Sequence, residues 1–456
     1  MSTTLGGRAA RTARLASLSA RAGSKLWSAR RADRRGDAEA AASAHADVAE
    51  AVLEHLGSMK GAAMKLGQLL SYVDVDLNVE MSEVYQQRLA ALADAAPPSD
   101  TATIEATVAE EYGAPPEEVF ARWDREPFAV ASIGQVHRAA LHDGTEVVVK
   151  VQHPGVAEAV EADLANVDGL ARLARLVAPE VDARELLEEL RTRVLAELDY
   201  QEEARYQRAF AERYAGHPFI RVPRVIDELA RPRVLVSEYA AGRRFSEMRA
   251  SASREERDRY GEIIFRFVFG SLYRFRIFNS DPHPGNFVFC DDGSVAFLDY
   301  GSSKAFSREA RDRLQAVHRA VAAEDPTELG RTMRTAGLMP EDSAADLDVA
   351  LAWFQLLREP MIDDAPYTYT PEYARRVVAA SSSADSPYRT TLQQLAMPAE
   401  YLLLNRITFG VNSLLARFEP TANWHRIMAE LSEGAPAATA LGRQEAAFFA
   451  EHRDVA

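Results

Sequence analysis

Between Phe278 and Phe289 the chain reads FNSDPHPGNFVF, with an Asp, a His, two Asn, a Gly and two prolines held between apolar residues. Turn-forming and polar residues anchored on both sides by a core form a loop held rigidly at a surface, where catalytic and binding residues concentrate. Asp-Pro, Pro-Gly and Gly-Asn are also ordinary turn material, so the loop by itself is equally compatible with a structural turn. Its spacing constrains the fold further. Asp281 and Asn286 are five residues apart, and downstream comes VAFLDYG (Val295 to Gly301), an apolar strand-type run that ends in Asp299 (18 residues after Asp281), Tyr300 and Gly301.

A loop Asp, an Asn five residues on and a strand-end Asp-aromatic-Gly follow the order in which protein-kinase-like folds place a base and two metal ligands. The rest of the chain is consistent with that order. Gly36 to Val73 and Met81 to Ala93 have helical spacing, the break AAPPSD follows, and Thr101 to Tyr112 is again helical. EPFAVASIGQVHRAAL and EVVVKVQ then alternate as strands across the turn HDG. Helices are expected from about Val156 to Val177 and from Asp182 to Tyr214, with short strands near Phe219 to Val222 and Arg233 to Glu238. Ser253, with Glu256 three residues on, is an N-cap signal for a helix to about Phe275, and the chain beyond Ser307 reads almost wholly helical.

Composition bounds the function. At 456 residues and 47% hydrophobic the chain can bury substantial cores, and a formal charge of −15 excludes broad nucleic-acid binding. Residues 1 to 35 carry nine Arg or Lys against one acid, so a basic arm precedes an acidic body. With Leu15, Leu18, Leu26 and Trp27 the arm suits peripheral contact with anionic lipid. A single Cys290 excludes an internal disulfide framework and a multi-cysteine zinc site, and fits a reducing compartment. The arginine-broken N-terminus does not read as a signal peptide, and Tyr401 to Phe418, interrupted by Asn405, Arg406 and Asn412, reads as a buried helix rather than a membrane span. These features point to a cytoplasmic protein, soluble or peripheral at the inner face of the cytoplasmic membrane. His137, His153 and His283 lack the spacing of a zinc site.

Lys150 ends the strand TEVVVK among apolar residues, where an ammonium needs an anion, either phosphate or a carboxylate. Downstream, LAELDYQEEARY (Leu195 to Tyr206) offers Asp199 and Glu203 on one helix face, with Glu197 roughly 120° round from Glu203. Not all three acids can serve one cation on a regular helix. RVLVSEYAAGRRF (Arg233 to Phe245) leaves a strand at Glu238 and passes through Tyr239, Ala240, Ala241 and Gly242, a segment suited to a hinge whose peptide groups meet adenine.

No glycine-rich phosphate loop precedes Lys150; FAVASIGQVH (Phe128 to His137) stands in its place, and MKLGQLLS (Met64 to Ser71) lies upstream. With KVQHPGV (Lys150 to Val156), ELDYQEEA (Glu197 to Ala204) and DPHPGN (Asp281 to Asn286), these departures from ordinary kinases resemble the UbiB/AarF family of atypical kinase-like proteins, from about residue 50 to 305. The resemblance implies an α+β, two-lobed protein-kinase-like fold with a small β-containing lobe, a helical large lobe and a helical N-terminal extension. Its expected divisions are the arm 1–35, the extension 36–125, the small lobe 126–240 and the large lobe 241–456. It implies that Lys65 and Gln68 belong to a Lys-x-Gly-Gln helix lying where a peptide substrate would sit, with Glu197 and Asp199 receiving Lys65. Glu203 would pair with Lys150. Ala129, Val130, Ala131 and Ser132 would form an alanine-rich phosphate loop. Asp281 would be the catalytic-loop aspartate, and Asn286 with Asp299 would hold Mg²⁺ on bound ATP. Asn279, where the family usually has His, and Tyr300, where Phe is usual, are departures that affect local packing; a buried Tyr300 hydroxyl needs a partner.

Only a few residues separate Gly301 from the helix-type run at Ser307, too few for a long activation segment. The expected function is Mg²⁺-dependent ATP binding with slow hydrolysis or phosphoryl transfer. A lipid-like or quinone-precursor partner is expected, as the family's link to isoprenoid-quinone metabolism implies. A small-molecule phosphotransferase and a non-catalytic nucleotide-sensing scaffold are the alternatives.

Overall fold

The computed structural model describes residues 99–131, 133–158, 198–279, 282–383, 385–396 and 398–452. The helical stretches expected before residue 94, together with Lys65, Gln68, Ser132, Glu197 and Asp281, lie outside the described residues. In chain order the elements are α1 (Thr101–Tyr112), α2 (Pro116–Val119), β1 (Arg122–Trp123), β2 (Ala129–Val130), β3 (Gly134–Ala140), β4 (Glu146–Gln152), α3 (Tyr200–Arg213), β5 (Ile220–Arg221) and β6 (Val234–Glu238). Then follow β7 (Arg243–Arg244), α4 (Phe245–Ser251), α5 (Arg254–Gly270), β8 (Ile277–Asn279), β9 (Phe287–Phe289), β10 (Val295–Phe297), β11 (Ser303–Ala305), α6 (Arg308–Ala322) and α7 (Pro326–Thr335). The last are α8 (Leu347–Arg358), β12 (Tyr367–Thr368), α9 (Pro371–Ser382), α10 (Arg389–Leu392), α11 (Ala399–Phe418), β13 (Thr421–Ala422), α12 (Trp424–Glu433) and α13 (Ala440–Glu451).

The chain divides into two compact units. In the first, the described residues are 99–104, 127–131, 133–136, 152–158 and 198. Here β2 and the start of β3 form an antiparallel hairpin, Ala129 opposite Val136 and Val130 opposite Gln135, closed by Ala131 N donating to Gly134 O at 2.8 Å. The sequence presents this stretch as one strand-type run; the chain instead reverses between Ala131 and Gly134, where small residues stand at both corners of the turn. The Ser99 hydroxyl and His153 Nδ1 are 2.8 Å apart.

The second unit comprises Glu105–Glu126, His137–Val151 and Asp199–Ala456. In it β4 pairs antiparallel with β6, Val147 opposite Glu238 through Val151 opposite Val234, and β1 pairs with the end of β3. Helix α3 lies against β6. Its N-terminus is tied down by Tyr200 N donating to Pro232 O (3.0 Å), and its middle by Gln207 Nε2 donating to Pro223 O (2.7 Å). The helix begins one residue after Asp199, whose side chain accepts from Gln201 N at 2.9 Å. This corrects the reading of Asp199 as a helix-face partner of Glu203: a short carboxylate competes for a free N–H and caps the helix.

Ser253 and Glu256 form the expected capping box at α5, with Glu256 N donating to Ser253 Oγ (3.2 Å) and Ser253 N to Glu256 Oε2 (2.9 Å). The helix runs to Gly270 and continues as a π-helical turn, Ser271–Phe275, ended by left-handed Arg276. From Tyr260 to Gly270 every residue is buried, so α5 forms the centre of the core, against α11 and α12. A second sheet, ordered β5-β10-β9-β7, and the pair β11–β8 lie in the same unit. Beyond Ser307 the described chain is helical as expected, apart from the short pair β12–β13.

Inside this core Arg266, with no exposed surface, donates to Glu262 Oε1 (2.7 Å), Glu430 Oε1 and Oε2 (both 2.9 Å) and Glu445 Oε2 (2.7 Å). The guanidinium fork thus joins α5, α12 and α13. Gly442 is needed beside it, because a Cβ there would lie 2.6 Å from Arg266 Nη2 and 2.7 Å from Glu430 Oε2. Burial acts to raise the pKa of Glu445, but His217 Nε2 at 3.8 Å and Arg266 outweigh it and hold the carboxyl below its ordinary value. Its contribution to stability is therefore complete above the unfolded carboxyl value and lost as pH falls through the lower folded one.

In urea unfolding, Gly442→Ala should cost about 1–3 kcal/mol by overpacking, and Arg266→Met should cost more, about 3–5 kcal/mol, by stranding three buried carboxylates. Glu445→Gln should lose less stability than the wild type between about pH 5 and 3. A wild-type slope equal to that of the variant would contradict the assignment.

Candidate active site

Strand β4 sets the site. Val147, Val149 and Val151 are fully buried on one face, so the alternation of a strand sends Lys150 to the other. There its Nζ donates to Glu203 Oε1 and Oε2, both at 2.8 Å, with Asp299 Oδ2 3.9 Å away and the Tyr200 ring centroid 5.1 Å away. Burial works to lower the Lys150 pKa, but the charges of Asp299 and Glu203 outweigh it and hold the amine above the ordinary lysine range. The side chain is an ammonium throughout neutral pH. Glu203 is 6% exposed and Asp299 38%, so Glu203 is the buried counter-ion and Asp299 the carboxylate a ligand can reach.

Asp299 follows β10 and is fixed from both sides. Its Oδ1 accepts from Gly301 N at 2.9 Å, and its carbonyl accepts from Asn279 Nδ2 at the end of β8. Asn279, where the resembled family usually has His, therefore supports the backbone of Asp299. Tyr300 is fully buried and its hydroxyl donates to Phe297 O at 3.0 Å, the partner that a buried phenol requires. Its ring lies 5.0 Å from Phe210 of α3, and Phe210 lies 5.5 Å from Phe267 of α5.

Asn286 reaches the same region through a hairpin. Strands β9 and β10 pair antiparallel with Phe287 opposite Phe297, and Leu298 N donates to Asn286 O at 3.1 Å. Asn286 and Asp299 are thirteen positions apart in sequence, yet the ladder makes them near neighbours. His283 shapes the loop before it, its Nδ1 accepting from Gly285 N at 3.1 Å. Asn286 and Asp299 present oxygen donors suited to a hard divalent cation. Among the described residues no group of three or more His, Cys, Asp or Glu could hold a metal ion, so a Mg²⁺ ion here would draw its other ligands from phosphate and water.

The expected hinge needs correction in detail. Glu238 N donates to Arg224 O and Tyr239 N to Glu146 O, both at 2.9 Å, so sheet bonds already use these two amides. The Glu238 carboxylate is bound by Arg224 Nε at 2.8 Å. Burial acts to raise its pKa, but the bonds from Arg224 outweigh that and lower it. The backbone N–H groups the hinge can offer are therefore those from Ala240 onward. Beside them lies a small apolar platform that the sequence did not single out: Val288, Cys290 and Ala296, with Ala240 and Leu298 packed on it. Val288 and Leu298 flank Asn286 and Asp299 in sequence and looked like ordinary strand residues; only the hairpin register brings them beside Ala240. Ala129, Val130 and Ala131 lie on the β2–β3 hairpin of the first unit.

Residues 91–333 match the ABC1 atypical kinase-like domain. The chain belongs to that family. It is 32% identical over 332 residues to the mitochondrial atypical kinase COQ8B of Rattus norvegicus, covering 72% of this chain and 62% of the relative. To the mitochondrial atypical kinase COQ8 of Schizosaccharomyces pombe it is 28% identical over 378 residues, covering 81% of this chain and 60% of that one. The chain thus spans somewhat under two thirds of these relatives. The solved structure of Rv3197 from Mycobacterium tuberculosis in complex with erythromycin is similar at a TM-score of 0.62 and 29% identity, covering 87% of this chain and 99% of that one. The fold is protein-kinase-like and of the α+β class, as the UbiB/AarF resemblance implied.

Tyr300→Phe restores the residue usual in the family. It should cost about 1 kcal/mol, one hydrogen bond, in denaturant unfolding. Unchanged stability would contradict the bond to Phe297 O.

Proposed function

We propose that this chain is a Mg²⁺-dependent, ATP-binding atypical kinase or ATPase that serves isoprenoid-quinone or related lipid metabolism. The observation that carries the proposal is the cluster of Lys150, Glu203 and Asp299, one ammonium against two carboxylates, beside the Asn286 oxygen donors. Lys150, held by Glu203, binds the phosphates of ATP, and Asn286 with Asp299 holds Mg²⁺. When bound, Mg²⁺ neutralises charge on the phosphate oxygens and ATP supplies the phosphoryl group. Ala129, Val130, Ala131 and Ser132 cover the phosphates, the segment from Ala240 meets the adenine, and Val288 and Leu298 give the base an apolar bed. Asp281 orients the attacking hydroxyl and takes its proton. Lys65 and Gln68, with Glu197 and Asp199, shut the place of a peptide acceptor.

The acceptor in this reading is a small or lipid-like molecule. Only Ser302 to Ser307 separate Gly301 from α6, and Ser303–Ala305 of these is bound as β11 to β8, with Ser303 opposite Asn279. That leaves no segment between Gly301 and α6 on which an extended peptide could dock. Rv3197 in complex with erythromycin, a bulky polyhydroxylated small molecule, supports the same class of partner. No helix among the described residues is long and apolar enough to cross a membrane. Contact with a lipid surface at the inner face of the cytoplasmic membrane is assigned to the basic arm 1–35.

Phosphate release from ATP by the purified chain should need Mg²⁺ and rise on adding anionic liposomes that contain a quinone-precursor analogue. Asp299→Asn and Lys150→Met should each lower turnover by about 10²–10³-fold, the size expected for one electrostatic contact to transferring phosphate. Phosphorylation of added proteins at rates typical of ordinary protein kinases would refute the restriction to small acceptors. Full cellular function in an Asp299→Asn variant without ATP turnover would favour a scaffold.

A further inference from the structure

A cavity of about 410 Å³ in the helical part of the second unit is lined by Arg249, Arg257, Arg417, Glu419 and Pro371. Four helices meet there: Arg249 lies in the last turn of α4, Arg257 near the start of α5, Arg417 in the last turn of α11, and Pro371 opens α9. No residue of the phosphate-binding cluster described above takes part. In a chain with a net charge of −15, three guanidiniums against one carboxylate leave this wall with two uncompensated positive charges.

A basic residue in the last turn of a helix offsets the partial negative charge there, which accounts for Arg249 or Arg417 taken singly. It does not account for Arg257, which stands near a helix start, where a cation is disfavoured. Arg257 is nevertheless held in place: Nη2 donates to Arg249 O (3.2 Å), Nε to Ala252 O (3.4 Å), and Nη1 lies 3.5 Å from Glu419 Oε2. Glu419 sits there in the left-handed conformation, φ 55°, unusual for a residue with a side chain. The side chains of Arg249 and Arg417 are exposed and make no hydrogen bond or ion pair with the described residues, in contrast to the many arginines that are paired. Glu419 answers Arg257, so Arg249 and Arg417 remain as two unanswered cations on one cavity, and each guanidinium is a planar fork that matches a phosphate.

We infer that this cavity binds a phosphate monoester, a dianion near neutral pH whose charge matches the two uncompensated positives. The phosphate can belong to a soluble metabolite or to a lipid headgroup. The site is separate from the proposed ATP site, and its failure would leave that reading intact.

The test is calorimetric titration of the full chain with glycerol 3-phosphate, and flotation with vesicles of phosphatidylcholine with and without phosphatidic acid. Wild type is compared with Arg249→Ala/Arg417→Ala, both exposed positions whose loss should not disturb folding, and with Arg249→Lys/Arg417→Lys. The inference predicts that the alanine pair weakens phosphate binding about tenfold or more per guanidinium, that the lysine pair recovers part of it, and that ATP affinity is unchanged in both. Binding of glycerol 3-phosphate assigns a soluble ligand. Binding only of phosphatidic acid vesicles, lost in the alanine pair, assigns a headgroup. Equal binding of both probes by wild type and the alanine pair, or binding of neither by wild type, would overturn the inference.

Discussion

The structure depends on an ammonium that the fold takes out of bulk water. An unpaired charge at the place of Lys150 would cost several kcal/mol, and the strand β4 could not carry it there without a counter-ion. Glu203 supplies both carboxylate oxygens at 2.8 Å, and Asp299 stands at 3.9 Å with a larger exposed surface. One positive and two negative charges leave the cluster anionic, a state that a divalent cation relieves and a bare phosphate does not. In the proposed reading that relief comes from a metal and its phosphates together, and much of the surrounding architecture serves to keep three side chains from three elements in register.

Each of those side chains has its own means of support. Lys150 is placed by the β4–β6 ladder, Glu203 by a helix capped at Asp199 and tied to Pro232 and Pro223, and Asp299 by Asn279 and Gly301. The aromatic contacts of Phe210 with Tyr300 and Phe267 couple α3 to both the Asp299 segment and α5. In the same unit the solution recurs with a guanidinium in place of the ammonium: Arg266 gathers three glutamates and fastens α12 and α13 to α5. Buried charge in this protein is used to fix where helices sit, at places where a wrong docking would leave a charge stranded.

Much of this was legible from residue patterns, and the limits have physical causes. Helix α1 begins and ends where periodicity put it, and the Ser253 to Glu256 capping box is a local signal that tertiary structure did not override. The hairpin turn at Ala131 to Gly134 was missed because its small residues, Ser132 and Gly134 among them, were read as part of one strand-type run although they are ordinary turn residues. Asp199 was read into a helix because spacing cannot tell a cap from a first turn when acids follow closely. The pairing of Lys150 with Glu203 and its nearness to Asp299 could be expected from residue type and order, whereas the packing of Val288 and Leu298 with Ala240 could not, since an apolar strand residue looks like any other core residue. Arg266 was hidden for the reverse reason: a charge in an amphipathic helix reads as solvated until its three partners, up to 179 residues away, are seen.

The most direct measurement is a crystal structure of the chain grown with a non-hydrolysable ATP analogue and Mn²⁺, read by the anomalous signal of the metal. The account predicts a manganese peak ligated by Asp299 and Asn286, with the triphosphate against Lys150 and the Lys150–Glu203 bond intact. A nucleotide bound elsewhere, or a metal peak remote from Asp299, would contradict it.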